Sequence, residues 1–254
     1  QDQSSNQGLK TLNDSLGNSM NYYDIVETQP KFNDLISRYK SNTEANSEIL
    51  DSIIKTLIPS KNIENSHMQL YLSIYGSIYE RNKEYKVANF MFKHAQIYGL
   101  VLGAKDNYKI GTNYYLCGLN DSAVVYLNKC VQLDSLNSVA YNNLGWSYFE
   151  LNNNLAAVNC FRKAYLTDPS DVRNLNNYGY ALYLINDLKT AERFILEAKT
   201  LDPSNSFVYR NLGLIYMKRG LRKKACKSLE KSIELKIIEE YGREYISDLI
   251  DFCN

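Results

Sequence analysis

The chain has 254 residues, of which 44% are hydrophobic and 22% are charged, and its 29 basic and 28 acidic residues leave a formal net charge of +1. This composition is typical of a folded protein with a sizeable core, and the near-zero charge excludes a global field that would recruit nucleic acid or an anionic membrane. No segment reaches the roughly 18 to 20 continuous apolar residues that a membrane-spanning helix needs.

The N-terminal region is rich in Ser, Asn, Gln and Asp and poor in apolar residues, so residues 1–30 are predicted to be a flexible segment. The chain begins with Gln1, as a processed exported protein would, and the segment could tether the protein to a membrane; trimming by an experimenter would give the same start. Residues 31–68 contain FNDLISRYK and EILDSIIKTLI and are predicted to form an N-terminal helical cap.

A repeat of about 34 residues follows. Its markers are five glycines at successive intervals of 35, 34, 34 and 34 residues, each followed twelve positions later by alanine: Gly76, Gly111, Gly145, Gly179 and Gly213, then Ala88, Ala123, Ala157, Ala191 and Ala225. Two small residues at this spacing let a pair of antiparallel helices cross closely. The pattern predicts five helix pairs, at residues 69–103, 104–137, 138–171, 172–205 and 206–239.

Helix-ending signals separate the later units. The sequences TDPSD at 167–171 and LDPSN at 201–205 place a proline after one helix and offer Ser or Asp to cap the next. Residues 240–254 are predicted to form a C-terminal capping helix, because a repeat array needs a polar end to stay soluble.

The unit 138–171 resembles the tetratricopeptide repeat in its pattern of Tyr141, Leu144, Gly145, Tyr148, Ala157, Phe161, Ala164 and Pro169. The unit 172–205 keeps Gly179, Ala191, Ala198 and Pro203, whereas the other three units have Leu100, Ser135 and Ile237 in place of the proline. The resemblance covers about two thirds of the chain. It implies an all-α, right-handed α-solenoid of about five helix pairs. The ACKSLEKSIELK ending with a terminal cysteine is similar to exported bacterial proteins of this family.

In this family the first helix of each unit lines a concave groove that binds polypeptides. The resemblance implies a peptide-binding site formed by Asn142, Asn143, Trp146, Phe149, Arg173, Asn176, Asn177, Tyr180, Tyr183, Arg210, Asn211 and Met217. Asn143, Asn177 and Asn211 recur every 34 residues and predict a ladder of amides. Since an amide both donates and accepts, such a ladder could hold about seven to nine residues of extended peptide.

An alternative reading of the same residues is structural: the asparagines bond neighbouring helices to each other, and the rings cover the wall of the solenoid. The pattern of Lys, Asn and Arg residues that binds a C-terminal carboxylate in some members is absent, since Ser73 and Ser77 stand in its first unit. Lys105, Lys109, Arg173 and Arg210 leave an acidic peptide as another hypothesis.

Residues 218–236 carry eight basic and two acidic side chains and raise the question of a nucleic-acid patch. The next helix carries Glu239, Glu240, Glu244, Asp248 and Asp251, so we expect the two oppositely charged helices to neutralise much of each other, and no nucleic-acid partner is predicted.

The five cysteines lack the spacings of a zinc site or a redox pair. Cys226 lies near the start of the last unit's second helix and Cys253 near the end of the terminal helix, so antiparallel packing would bring them together in a disulfide. Cα atoms more than 7 Å apart would exclude this pair. Cys117, Cys130 and Cys160 are interpreted as buried small residues.

No catalytic motif is present, and neither His67 nor His94 has a partner at ligand spacing, so the sequence predicts no enzyme, cofactor or metal site. The predicted function is that of a scaffold that binds another protein or peptide in an envelope-associated or exported complex. The predicted location is periplasmic, outer-membrane-associated or secreted, with the cytoplasm as the alternative. Two other hypotheses stay open: a structural subunit that uses its convex face or ends, and a glycan-binding accessory protein. The sequence indicates no oligomeric state.

Overall fold

A computed structural model describes residues 65–254, and every regular element in that range is a helix. The chain divides into two compact units, residues 1–118 and 119–254. The division falls inside the predicted repeat 104–137, between its two helices. The predicted flexible segment 1–30 and most of the predicted helical cap 31–68 lie outside the described residues.

The described part of the first unit contains α1 (Asn65–Arg81), α2 (Tyr85–Ile97) and α3 (Ala104–Leu116). Helices α1 and α2 pack together as a hairpin, and α3 packs on α2. The amide of the buried Asn89 donates a hydrogen bond across the second interface to the carbonyl of Ile110 at 3.4 Å.

The second unit is a series of helical hairpins whose members also contact the next hairpin along the chain. Its first seven helices are α4 (Asn120–Leu133), α5 (Ser138–Glu150), α6 (Asn154–Thr167), α7 (Val172–Leu184), α8 (Leu188–Leu201), α9 (Ser206–Lys218) and α10 (Arg222–Glu234). Helices α5 and α6, α7 and α8, and α9 and α10 form hairpins. This arrangement is an α-solenoid, because each hairpin buries its apolar side against its neighbours.

The repeated glycines let the two helices of a hairpin approach each other. A Cβ atom added at Gly145 would lie 2.7 Å from the ring of Phe161, which is 0% exposed. At Gly179 an added Cβ would overlap Ile195, sixteen residues further along. In these two hairpins the glycine and the large residue sixteen positions later therefore form one packing contact.

The start of each later hairpin is fixed by an Asp or Asn side chain. Asp171 accepts a hydrogen bond from the backbone N–H of Arg173 at 2.8 Å, and Asn205 accepts one from Phe207 at 3.1 Å. Ser170, which the sequence offered as an alternative cap, instead donates its hydroxyl to Asp168 in the preceding turn. The helix-start signals TDPSD and LDPSN thus act through their last residue.

The C-terminal segment differs from the single capping helix predicted for residues 240–254. It forms α11 (Ile237–Tyr241), a 3-10 turn (Arg243–Ile246) and α12 (Ser247–Cys253). Gly242 separates α11 from the turn with a φ of +88°, a left-handed conformation that glycine adopts at little cost. The segment nevertheless covers the last hairpin: the side chain of Leu249 is 0% exposed and is the nearest group to Gly213.

A disulfide joins Cys226 near the start of α10 to Cys253 at the end of α12, with the Cα atoms 5.6 Å apart. Next to it, the guanidinium of Arg222 donates to the carbonyl of Cys253 at 2.9 Å. Cys130 and Cys160 are buried, as the sequence indicated, whereas Cys117 is only half-buried. The C-terminal segment is therefore held by packing, by a hydrogen bond and by a covalent bond.

The basic segment 218–236 is not neutralised in the way that we expected. Arg219 pairs with Glu192 of α8, and Lys231 pairs with Glu234 of its own helix at 2.7 Å. Within residues 65–254, no ion pair joins the basic segment to the acidic side chains of residues 239–251. The C-terminal segment docks on α10 through apolar and main-chain contacts instead.

No helix among residues 65–254 is long and apolar enough to cross a membrane.

Candidate functional site

The first helices of three successive hairpins, α5, α7 and α9, form one face of the second unit. Helix α5 contacts α7 and α7 contacts α9 directly. We call the surface that these three helices share the first-helix face. Almost all of the predicted peptide-binding residues lie on it.

Asparagine side chains link the helices of this face. Asn177 of α7 donates its amide to the carbonyl oxygen of Asn142 of α5 at 3.2 Å. Asn211 of α9 donates in the same way to Asn176 of α7 at 3.0 Å. The residues of each pair are 35 positions apart. One amide therefore bonds to the amide one position earlier in the preceding repeat.

The predicted ladder of Asn143, Asn177 and Asn211 differs from this arrangement in register. Each observed bond joins positions 35 residues apart, one more than the 34-residue period that relates the three predicted residues. The exposed fractions of Asn142, Asn176 and Asn211 are only 8%, 7% and 3%. These three amides are sealed between helices, so the prediction that Asn211 offers a free amide to a peptide is wrong.

Asn174, which the sequence analysis did not select, belongs to the same network. It is 0% exposed, accepts from the amide of Asn142, and donates to the backbone carbonyls of Ala164 and Asp168 at 3.1 and 2.8 Å. It thereby ties the end of α6 to both first helices. The run NLNN at 174–177 was the available signal, since a helix rarely carries three asparagines in four residues without partners.

Aromatic side chains form a continuous row on the first-helix face, which we call the aromatic strip: Trp146, Phe149, Tyr180 and Tyr183. Tyr180 stacks on Trp146 with ring centroids 5.9 Å apart and on Tyr183 at 6.0 Å. Phe149 contacts Trp146 edge-on at 5.7 Å and Tyr180 at 6.0 Å. All four rings are half-buried, so each one packs on the wall and stays partly accessible to solvent.

Two cations of α9 border the aromatic strip. The guanidinium of Arg210 lies 5.3 Å from the centroid of Tyr180, and the ammonium of Lys218 lies 4.9 Å from that of Tyr183. Arg210 also donates to the side chain of Asn211 at 2.9 Å, which satisfies the carbonyl oxygen of that buried amide. Cation–π contacts of this kind are worth about 0.5–1 kcal/mol at exposed sites.

Three polar groups of the aromatic strip have no hydrogen-bond partner among the described residues. In the part of the chain that the structure describes, no hydrogen bond uses the indole N–H of Trp146 or the hydroxyls of Tyr180 and Tyr183. Burial raises the pKa of Tyr183, and the neighbouring Tyr180 raises it further, so its hydroxyl stays protonated at neutral pH. These groups are donors on rings that are partly accessible to solvent.

Two predicted site residues take no part in the ring contacts of the aromatic strip. Arg173 forms an ion pair with Asp171 at 2.7 Å at the start of α7, and Met217 packs against the hydrophobic core of the second unit. Asn143 is half-buried, and its carbonyl accepts a hydrogen bond from Ser147 at 2.9 Å. The site that the structure brings together is therefore the aromatic strip with Arg210.

The C-terminal segment adds two aromatic residues that the sequence analysis did not include. The ring of Phe207 on α9 contacts Tyr241 at 4.6 Å and Tyr245 at 5.8 Å. Arg210 donates to the backbone carbonyl of Tyr245 at 3.0 Å and lies 4.9 Å from its ring. Counting 34 residues onward from Phe207 leads to Tyr241, which was the available signal.

Stacked 34-residue helical hairpins with a shared first-helix face define a helical-repeat protein of the α-solenoid class. The family model of the tetratricopeptide repeat matches residues 138–171 and 208–236. These segments correspond to the hairpin α5–α6 and to most of α9–α10. Residues 138–171 and 208–236 are therefore similar to tetratricopeptide repeats.

Solved structures with a similar fold include MamA, at 22% identity and a TM-score of 0.57, over 65% of this chain and 96% of that one. The MamA RS-1 ArsTM double mutant matches at 18% identity and a TM-score of 0.60, over 66% and 94%. PilF of Pseudomonas aeruginosa matches at 29% identity and a TM-score of 0.50, over 58% of this chain and 68% of that one. A search of curated protein sequences found no match.

Within residues 65–254, no cluster of His, Cys, Asp or Glu side chains has the geometry to hold a metal ion.

Proposed function

We propose that the chain is an interaction scaffold whose first-helix face binds an extended segment of another polypeptide. The observation that carries this proposal is the aromatic strip, in which half-buried rings lie beside unpaired N–H and O–H donors and Arg210. Rings supply apolar contact area to a bound chain, and the donors pair with its carbonyls. Tetratricopeptide repeats are a protein-binding fold, so the proposal agrees with the family.

The chain itself contains an example of the chemistry. At the end of the first-helix face, Arg210 donates to the main-chain carbonyl of Tyr245, while the rings of Tyr180 and Tyr245 lie against its guanidinium. A side chain of the face thus recognises the backbone of a short 3-10 segment. We propose that the aromatic strip treats a partner in the same way.

We place this scaffold in an exported or envelope-associated complex. The disulfide between Cys226 and Cys253 supports this location, because such bonds persist in oxidising compartments. The alternative is a structural subunit that docks through its second helices, where Leu155 is 73% exposed.

Site-specific photo-crosslinking separates these readings. A photoreactive phenylalanine analogue replaces Tyr183 on the strip in one variant and Leu155 on α6 in another, and both full chains are irradiated in native extract. We expect peptides of a partner protein crosslinked at position 183, and the crosslink should be lost on adding Tyr180→Ala. Crosslinks to a protein partner only from position 155 would refute binding by the first-helix face and support the structural-subunit reading.

A further inference from the structure

The C-terminal segment continues the hydrogen-bond series of the first-helix face. Asn142 with Asn177, Asn176 with Asn211, and Arg210 with Tyr245 are all 35 residues apart. Tyr245 therefore lies at the position from which the first helix of a sixth repeat would form the next hydrogen bond of the series. The segment is in register with the repeats although its helix is interrupted at Gly242.

The aromatic surface continues in the same direction. The guanidinium of Arg210 lies 5.3 Å from the ring of Tyr180 and 4.9 Å from that of Tyr245, so it joins the strip to the C-terminal segment. The rings of Tyr241 and Tyr245 are 5.7 Å apart. They are 45% and 42% exposed, which makes them more accessible than the rings of the strip itself.

We propose that the aromatic strip extends across Arg210 onto Tyr245 and Tyr241, and that this combined surface binds a proline-rich segment in the polyproline II conformation. The inference rests on the proposed function and names the class of polypeptide that the face takes. Three features of the surface favour this ligand over a regular extended peptide, a sugar or an acidic peptide.

The first feature is that three asparagine side-chain amides of the face are already hydrogen-bonded and are not free to bind a peptide. An extended peptide bound through its backbone needs both donors and acceptors, but the amides of Asn142, Asn176 and Asn211 are sealed in contacts between helices. The strip still carries the Trp146 indole N–H and the tyrosine hydroxyls, all of which can donate to a carbonyl. Proline has no N–H to satisfy, and its carbonyls accept from such donors.

The second feature is the packing of the rings. The faces of Tyr180 are already occupied by Trp146, Tyr183 and Arg210, so the open face on which a sugar ring stacks is not available there. Only the edge of this ring is left for a ligand. A polyproline II helix has three residues per turn and rises about 3.1 Å per residue, so prolines on one of its sides recur about every 9 Å and can contact a row of ring edges.

The third feature is the state of Arg210. It already donates to the Tyr245 carbonyl and to Asn211, and two tyrosine rings lie against it. Its guanidinium is therefore engaged with the face itself. It is flanked by aromatic rings and is less available to bind a carboxylate. Aromatic-lined grooves are a recurrent binding mode for polyproline II segments.

The test uses the oxidised full chain and synthetic decaproline. Trp146 is the only tryptophan, so its fluorescence reports on the strip without labelling. We expect a saturable change in emission with decaproline and none with a Gly-Ser decapeptide. Tyr241→Ala combined with Tyr245→Ala should raise the Kd about fivefold or more, the size expected for lost ring contacts. The matched control Leu155→Ala removes an exposed apolar side chain away from the face and should leave the Kd within about twofold.

Each other outcome has a definite meaning once circular dichroism shows that the variants keep their helix content. A saturable response to an acidic decapeptide but none to decaproline would overturn the inference and leave the proposed function standing. A response to chitohexaose and to neither peptide would overturn both. Decaproline binding that is unchanged in the double tyrosine variant would refute the extension of the strip onto the C-terminal segment.

Discussion

Removal of the disulfide should release the C-terminal segment and leave the repeats intact. The change is Cys226→Ser together with Cys253→Ser. The bond spans a sequence separation of 27 residues and closes the loop that carries α11, the 3-10 turn and α12. Without it, the segment is held by Leu249 in the cleft at Gly213 and by the hydrogen bonds of Arg210 and Arg222.

The expected magnitude follows from the entropy of the opened loop. A cross-link that closes a loop of this length restricts the opened chain by about 3.5 kcal/mol in the chain-entropy model. A loop of about 18 residues, which applies if α10 stays folded and only the chain beyond it opens, gives about 3.2 kcal/mol. Since each 1.4 kcal/mol is a factor of ten, the open state of the segment should become roughly 300-fold more populated.

Hydrogen exchange followed by mass spectrometry checks this prediction residue range by residue range. Amides of residues 243–253 should exchange up to roughly 300-fold faster in the double variant, while those of α5 keep their rates. Reduction of the wild-type chain should reproduce the effect, and reduction of the double variant should change nothing further. Cys117→Ser, which removes a cysteine outside the disulfide, is the matched control.

Exchange in residues 243–253 that is unchanged to within about threefold would refute the reasoning, because packing alone would then hold the segment. An equal loss of protection in α5 would refute it in another way, since it would show that the bond stabilises the whole solenoid and not its end.

Two further predictions concern the repeats. Gly145→Ala should destabilise the second unit by about 1–3 kcal/mol, because the added methyl group overlaps the buried ring of Phe161. Gly103→Ala, where an added Cβ meets nothing closer than 3.7 Å, should stay within about 1 kcal/mol in the same urea titration. Asp171→Ala should cost about 1 kcal/mol at neutral pH through loss of the cap of α7. The Arg173 hydrogen bond lowers the pKa of Asp171, so the cap stabilises above the ordinary pKa of about 4. The difference between wild type and variant should therefore vanish as the pH falls from about 5 to about 2, and a difference that persists there would contradict the assignment.

The hairpins were predictable because their signals are local. Gly145 and Phe161 are sixteen residues apart and fix one contact within one unit, so the 34-residue period contains the information directly. The caps were predictable for the same reason: a proline and an Asp or Asn within five residues determine where one helix ends and the next begins. The division of the chain after residue 118 has no such local signal.

The register of the asparagines was not predictable from the period alone. A repeat of 34 residues aligns Asn177 with Asn143 and Asn211, whereas contact between neighbouring first helices depends on how far one helix is shifted and rotated against the next. The shift brings Asn177 to Asn142, a separation of 35. The repeat period identifies residues that occupy the same position in successive repeats. Such residues need not contact each other in the folded chain.

An asparagine side chain can both donate and accept a hydrogen bond, so a series of asparagines has no intrinsic end. A helix from a further repeat or from another copy could extend it. The hydrogen bond to Tyr245 ends the series of asparagine contacts. Its acceptor is a main-chain carbonyl, so the residue takes a hydrogen bond from Arg210 and returns no amide for a following helix. At this end the hydrogen-bond series therefore closes on the main chain of the C-terminal segment and not on a further amide.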